Sequence, residues 1–108
     1  MFKPNSDATP VEMFPGVIRR TLCSGDRVTL GEFALAKGSV VPLHSHEHEQ
    51  VGYVARGRVV FTIGGEAREL CAGDSYLAAS NEPHMVTALE DSIAIDIFAP
   101  VRTEYLDK

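Results

Sequence analysis

Arg58-Val59-Val60-Phe61-Thr62-Ile63-Gly64-Gly65-Glu66-Ala67-Arg68-Glu69-Leu70 decides the fold class. A run of β-branched and aromatic residues is followed by two glycines and a second short run. Residues of this kind fit a pleated, half-buried surface. A two-residue Gly-Gly link supplies the positive φ that a tight antiparallel hairpin requires. The same alternation recurs on both sides of this stretch, with turn signals at roughly 8–12-residue spacing, the pattern of an all-β domain. Strands are predicted over Ile18–Cys23, Val28–Ala36, Val40–His46, Gln50–Ala55, Arg58–Ile63, Glu66–Leu70, Ser75–Ala78, His84–Ala88 and Ser92–Phe98. Between them lie Ser24-Gly25-Asp26, Lys37-Gly38, Arg56-Gly57, Ala72-Gly73-Asp74, Asn81-Glu82-Pro83 and Glu90-Asp91. No long segment has a 3.6-residue apolar period. So many short strands must bury one face, either in a small sandwich or in a barrel.

Pro4, Pro10, Pro15 and Gly16 mark residues 1–16 as an extended N-terminal arm without a stable helix. Residues 17–108 form the single predicted domain. At 108 residues, 44% hydrophobic and 23% charged, the chain has material for one core. A net charge of −5 with no basic run argues against nucleic acid or an anionic membrane surface. No apolar stretch reaches membrane-spanning length. Lys3, Pro4, Asn5, Ser6 and Asp7 interrupt any signal-like start, so a cytoplasmic location is expected. Cys23 and Cys71 have no Cys-x-x-Cys partner and read as small, partly buried thiols of a reducing compartment.

Three of the four histidines fall within five residues, in Leu43-His44-Ser45-His46-Glu47-His48-Glu49-Gln50. Alternation along a strand puts His44 and His46 on one face with Val40 and Pro42, opposite Val41, Leu43 and Ser45. Both imidazoles would then reach one cation. His48 falls where the chain turns, between Glu47 and Glu49, and reads as a solvated or supporting group flanked by exposed carboxylates. Were the flanking strands paired as a hairpin, Gln50 would return opposite the histidine pair. His84, stiffened by Pro83, is the remaining imidazole. Three neutral imidazoles and an amide oxygen suit a first-row divalent ion. The competing reading is a solvent-exposed polar patch that happens to be rich in histidine.

The spacing Gly38-x5-His44-x-His46-x3-Gln50-x6-Gly57 resembles the first signature motif of the cupin family. In that motif a glutamate usually stands where this chain has Gln50. Gly73-x5-Ala79-x-Asn81-x2-His84 is similar to the second motif, with alanine for its proline and asparagine for its glycine. The second motif's terminal asparagine would fall at Ala88 and is absent. The resemblance implies a double-stranded β-helix, or jelly-roll, barrel. It implies one divalent transition metal (Ni, Zn, Mn or Fe) held by His44, His46, Gln50 and His84. It also implies a homodimer.

With Gln50 in place of glutamate, the ligand shell is uncharged and leaves the full +2 on the ion. Such a centre is a stronger Lewis acid and favours anionic oxygen ligands. It also lacks the carboxylate of the two-His-one-carboxylate oxygenase pattern.

Towards the C-terminus, Ser92-Ile93-Ala94-Ile95-Asp96-Ile97-Phe98 puts the isoleucines on one strand face, read as the core. Ala94, Asp96 and Phe98 share the other. Asp96 either faces solvent or faces a polar lumen, where it would serve as general acid/base. Arg102 would pair with Asp96, clamp a substrate carboxylate, or lie exposed. The combination is similar to the small cupins typified by the pectin degradation protein KdgF, which open the ring of 4,5-unsaturated uronates. That likeness implies Asp96 as acid/base, Arg102 as carboxylate anchor and Phe98 as a wall of the pocket. Two alternatives stay open: a metal dioxygenase acting on an enolic or aromatic substrate, and a non-catalytic, ligand-sensing cupin.

Overall fold

The computed structural model describes residues 1–106. In chain order the strands are β1 (Val11–Phe14), β2 (Val17–Ser24), β3 (Thr29–Leu35), β4 (Val40–His44) and β5 (Glu49–Arg56). They continue as β6 (Arg58–Ile63), β7 (Glu66–Cys71), β8 (Ser75–Ala78), β9 (His84–Ala88) and β10 (Ser92–Ala99). Two 3-10 turns, Asn5–Asp7 and Thr103–Tyr105, complete the elements. Gly64 and Gly65 take φ of 57° and 85°, the left-handed values that close the β6–β7 hairpin, with Ile63 opposite Glu66.

All pairing is antiparallel, in two sheets: β1-β2-β3-β10-β5-β8 and β4-β9-β6-β7. The sheets face each other over a core of Val17, Leu35, Val54, Val59, Phe61, Tyr76, Val86 and Ala88. The all-β jelly-roll expectation therefore stands. No helix among the described residues is long and apolar enough to cross a membrane.

The structure corrects four details of the sequence reading. First, the N-terminal arm supplies β1, which pairs with β2 at the sheet edge. Second, β4 and β5 form no hairpin. β4 pairs with β9, while both edges of β5 are taken by β10 and β8. The segment between them crosses from one sheet to the other, so Gln50 approaches the histidines across the sandwich. Pro42, which has no N–H to donate, is tolerated because β4 is an edge strand.

Third, the alternation of β4 breaks. Val41 is opposite Val86 but His44 is opposite His84, so one extra residue sits on β4. This bulge turns Val41 and His44 to the same interior cavity, whereas Val40 and Leu43 are exposed. Fourth, the inward face of β10 is Ser92, Ala94, Asp96 and Phe98. The isoleucines lie on the outer face, where Ile97 is 46% exposed. Register decides this: Asp96 is abreast of Gly52 and Gly31, and Phe98 of Gln50 and Thr29. The interior here is partly polar, so hydrophobicity alone chose the wrong face. Cys23 is half-buried, but Cys71 is exposed.

Candidate metal centre

The loop after β4 and the loop before β9 are tied together. The amide N–H of Asn81 donates to the His46 carbonyl over 2.7 Å, and the Ser80 hydroxyl donates to the Glu47 carbonyl over 2.6 Å. Asn81 has φ 63°, a left-handed conformation that glycine or asparagine accommodates. That explains the asparagine at a position where the second signature motif has glycine.

Each of three imidazoles is oriented by a backbone carbonyl two residues away. His44 Nδ1 lies 2.7 Å from the Pro42 carbonyl, His46 Nδ1 lies 2.9 Å from that of His48, and His84 Nδ1 lies 2.8 Å from that of Glu82. A carbonyl only accepts, so each Nδ1 must carry the proton and each Nε2 presents a bare lone pair. One ring nitrogen from each of the three histidines lies within 4.8 Å of the other two.

Two observations show what these lone pairs lack. His84 Nε2 is buried without any hydrogen-bond partner, a costly state for a polar atom. His46 Nε2 lies 3.1 Å from Gln50 Oε1. The Gln50 amide also hydrogen bonds to Asp96, and a carboxylate requires the NH2 end. Oε1 therefore faces His46, lone pair to lone pair. A shared cation resolves both contacts, and His44, His46, His84 and Gln50 fit a divalent ion as donors.

Burial, helped by Arg102 and by His84, lowers the His46 pKa to about 4. Burial lowers His84 as well. Both rings are thus unprotonated near neutrality and available as ligands.

His48 is not part of this cluster, and of the two roles expected for it, solvated or supporting, the structure shows the supporting one. It is buried, with Glu47 and Glu49 exposed on either side. Its backbone carbonyl, rather than its ring, serves the site by holding His46.

Asp96 is 4% exposed, which rules out the open-face alternative. The Tyr76 hydroxyl donates to its Oδ1 over 2.5 Å. Burial raises the Asp96 pKa to about 6, against the opposing pull of Tyr76, Gln50 and Arg102. A carboxyl tuned to this range exchanges a proton readily near neutral pH.

Arg102 is neither an exposed tail residue nor hydrogen bonded to Asp96. Its backbone N–H donates to Thr29 Oγ1 over 2.9 Å, and its Nε donates to Glu104 over 2.8 Å. The guanidinium carbon lies 4.9 Å from the Phe98 ring centre and 4.0 Å from that of Tyr105, so the cation is held against aromatic faces. Glu104 occupies the Nε edge, which leaves the terminal nitrogens for an anion. The Thr21 hydroxyl donates to the Tyr105 carbonyl and fixes the segment that carries Arg102 to β2.

His44, Gln50, His84, Asp96, Phe98 and Arg102 all line one cavity between the sheets. Phe33, Val41 and Phe61 add apolar lining to it from both sheets. Tyr76 carries no motif, and Glu104 and Tyr105, although they follow Arg102 in the stretch that resembles the KdgF-like cupins, have no role legible from sequence. The only signal was Gly52 inside a strand, which marks a place where something approaches the backbone closely.

Comparison with known proteins agrees with the fold. Residues 31–98 match the cupin domain family model. The chain is 39% identical over 103 residues to the pectin degradation protein KdgF of Dickeya dadantii, covering 93% of this chain and 94% of that one. The structure of KdgF from Halomonas sp. superposes with a TM-score of 0.92 at 32% identity, over 98% of each chain. An RmlC-like cupin from Shewanella frigidimarina gives a TM-score of 0.92 at 26% identity, over 97% of this chain and 95% of that one.

Proposed function

This chain belongs to the cupin family, and from that premise we propose that it is a metal-dependent enzyme that opens the ring of a small anionic sugar. A 4,5-unsaturated uronate is the substrate that the site suits best. The observation that carries the reading is the juxtaposition of a buried carboxyl with pKa about 6, an aromatic-braced arginine and an uncharged set of metal donors in one cavity. The likeness to KdgF, named for pectin degradation, supports the substrate class.

A nickel, zinc, manganese or iron ion held by His44, His46, His84 and Gln50 supplies Lewis acidity towards the sugar's oxygens when bound. The remaining work falls to the chain's own residues. The Arg102 terminal nitrogens take the substrate carboxylate in two parallel hydrogen bonds, and Phe98 walls the ring. Asp96 removes the proton of the anomeric hydroxyl. The bond from the anomeric carbon to the ring oxygen then breaks, and its electron pair stays on that oxygen as an enolate. The anomeric carbon becomes an aldehyde. Asp96 returns the proton to C4, giving the linear keto-uronate. The reaction is an isomerisation and needs no co-reactant.

The conjugated double bond of the uronate absorbs in the ultraviolet, so its loss reports turnover. Metal-loaded wild type should remove the absorbance, and Asp96→Asn should be slower by about 100-fold or more, the usual contribution of a general acid/base. An unchanged absorbance with the metal-loaded wild type would sink the proposal.

The homodimer belongs to the same proposal. Leu77, Val51 and Ile97 lie abreast on the outer face of the six-stranded sheet, 53%, 47% and 46% exposed. Tyr53 adds to this row, half-exposed. A second copy seated on this face would cover it, and Val51→Lys with Leu77→Lys should then give monomers by light scattering.

A further inference from the structure

Tyr76 belongs to no motif, yet its position is tightly determined. Tyr76, Gly52 and Asp96 are abreast on three adjacent strands, β8, β5 and β10. Tyr76 and Asp96 are therefore two strand spacings apart, roughly 10 Å between backbones. The phenol spans that gap by lying across β5 over Gly52. A Cβ at Gly52 would fall 2.0 Å from Tyr76 Cζ and 2.3 Å from its hydroxyl oxygen. On the other side, Phe61 from the facing sheet stacks on the phenol, centroids 3.9 Å apart and planes 29° from parallel. The ring is thus held between a bare backbone and an aromatic face. Its hydroxyl ends on Asp96 Oδ1.

We propose that Tyr76 is a positioning residue for Asp96, and that Gly52 is the opening that lets it act from two strands away. This rests on the proposed role of Asp96 as the group that moves the proton. With one oxygen taken by the phenol and the Gln50 amide also donating, the carboxyl is fixed against rotation. It presents a constant face to the cavity. Burial and the neighbouring carboxylate hold the phenol protonated, so it remains a donor. Tyr76 does not line the cavity and acts only through Asp96.

The test uses metal-loaded protein and a 4,5-unsaturated uronate. Tyr76→Phe keeps the ring and its stack on Phe61 but removes the hydroxyl. Gly52→Ala keeps the hydroxyl but displaces the ring. Each should lower kcat by about ten-fold or more, with KM within about two-fold of wild type and metal content unchanged. The double variant should be no slower than the worse single one, because both act on one contact. A merely structural tyrosine would lower the melting temperature and leave kcat alone. Wild-type kcat in Tyr76→Phe, with Asp96→Asn inactive, overturns this assignment and leaves the functional reading intact. Full turnover by Asp96→Asn, or none by the wild type, overturns the functional reading and this assignment with it. Should Gly52→Ala fail to fold, the Tyr76→Phe result decides alone.

Discussion

Replacing Gln50 by glutamate changes one atom's chemistry at the centre of the site. In the wild type, Oε1 of Gln50 faces the bare Nε2 of His46 at 3.1 Å, and His46 titrates at about 4. The unfolded chain takes up a proton at about 6.5, before the folded one does. Stability from this residue is therefore intact above about pH 6.5 and is lost as the pH falls towards 4. In Gln50→Glu, a carboxylate at 3.1 Å attracts a protonated His46 by about 5 kcal/mol at an effective dielectric constant of 20. That corresponds to roughly 4 pH units. Burying the new carboxylate takes back part of it, because Gln50 is only 6% exposed. A rise of at least about 2 units remains, which brings His46 to about 6 or above. The assay is a pH titration of the histidine signals by NMR on metal-free wild type and Gln50→Glu. If His46 still titrates near 4 in the variant, the placement of Gln50 against His46 is wrong. The metal-loaded variant should also turn over at least about ten-fold more slowly. Asp96 loses an amide donor there and gains a like charge.

Asp96 and the turn glycines give two more expectations. Raising the Asp96 pKa from 3.8 to about 6 means that its ionised form destabilises the metal-free fold above pH 6, and that this penalty vanishes below about pH 4. Asp96→Asn should therefore be more stable than wild type by about 2 kcal/mol at pH 8 and not at pH 4, by urea denaturation. Gly57 has φ 88°, and a Cβ there would fall 2.2 Å from Ser92 Oγ and 2.4 Å from the Asp91 carbonyl. Gly57→Ala should cost about 2 kcal/mol or more in the same assay.

Nine of the ten strands were legible because glycines and short apolar runs mark them locally. β1 was hidden because its four residues lie between Pro10 and Pro15 and gain a partner only through tertiary pairing with β2. Which face of β10 points inward was not legible. Ile93, Ile95 and Ile97 outbid Asp96 on hydrophobicity, while the actual choice follows from the Gly52 and Gly31 register. The bulge that turns His44 inward left no sign in the sequence beyond Pro42 nearby. The spacing of the histidines was visible. Their tautomers were not, because these depend on the carbonyls of Pro42, His48 and Glu82. Tyr76 was silent for the same reason: its partner is 20 residues away and two strands across.

Metal content tests the central claim most directly. After loading with a divalent first-row ion and desalting, the wild type should retain about one ion per chain. His84→Ala and His44→Ala should each retain little or none while keeping the wild-type β-sheet circular dichroism. Failure of the wild type to bind any such ion, or unimpaired binding by His84→Ala, would contradict the account.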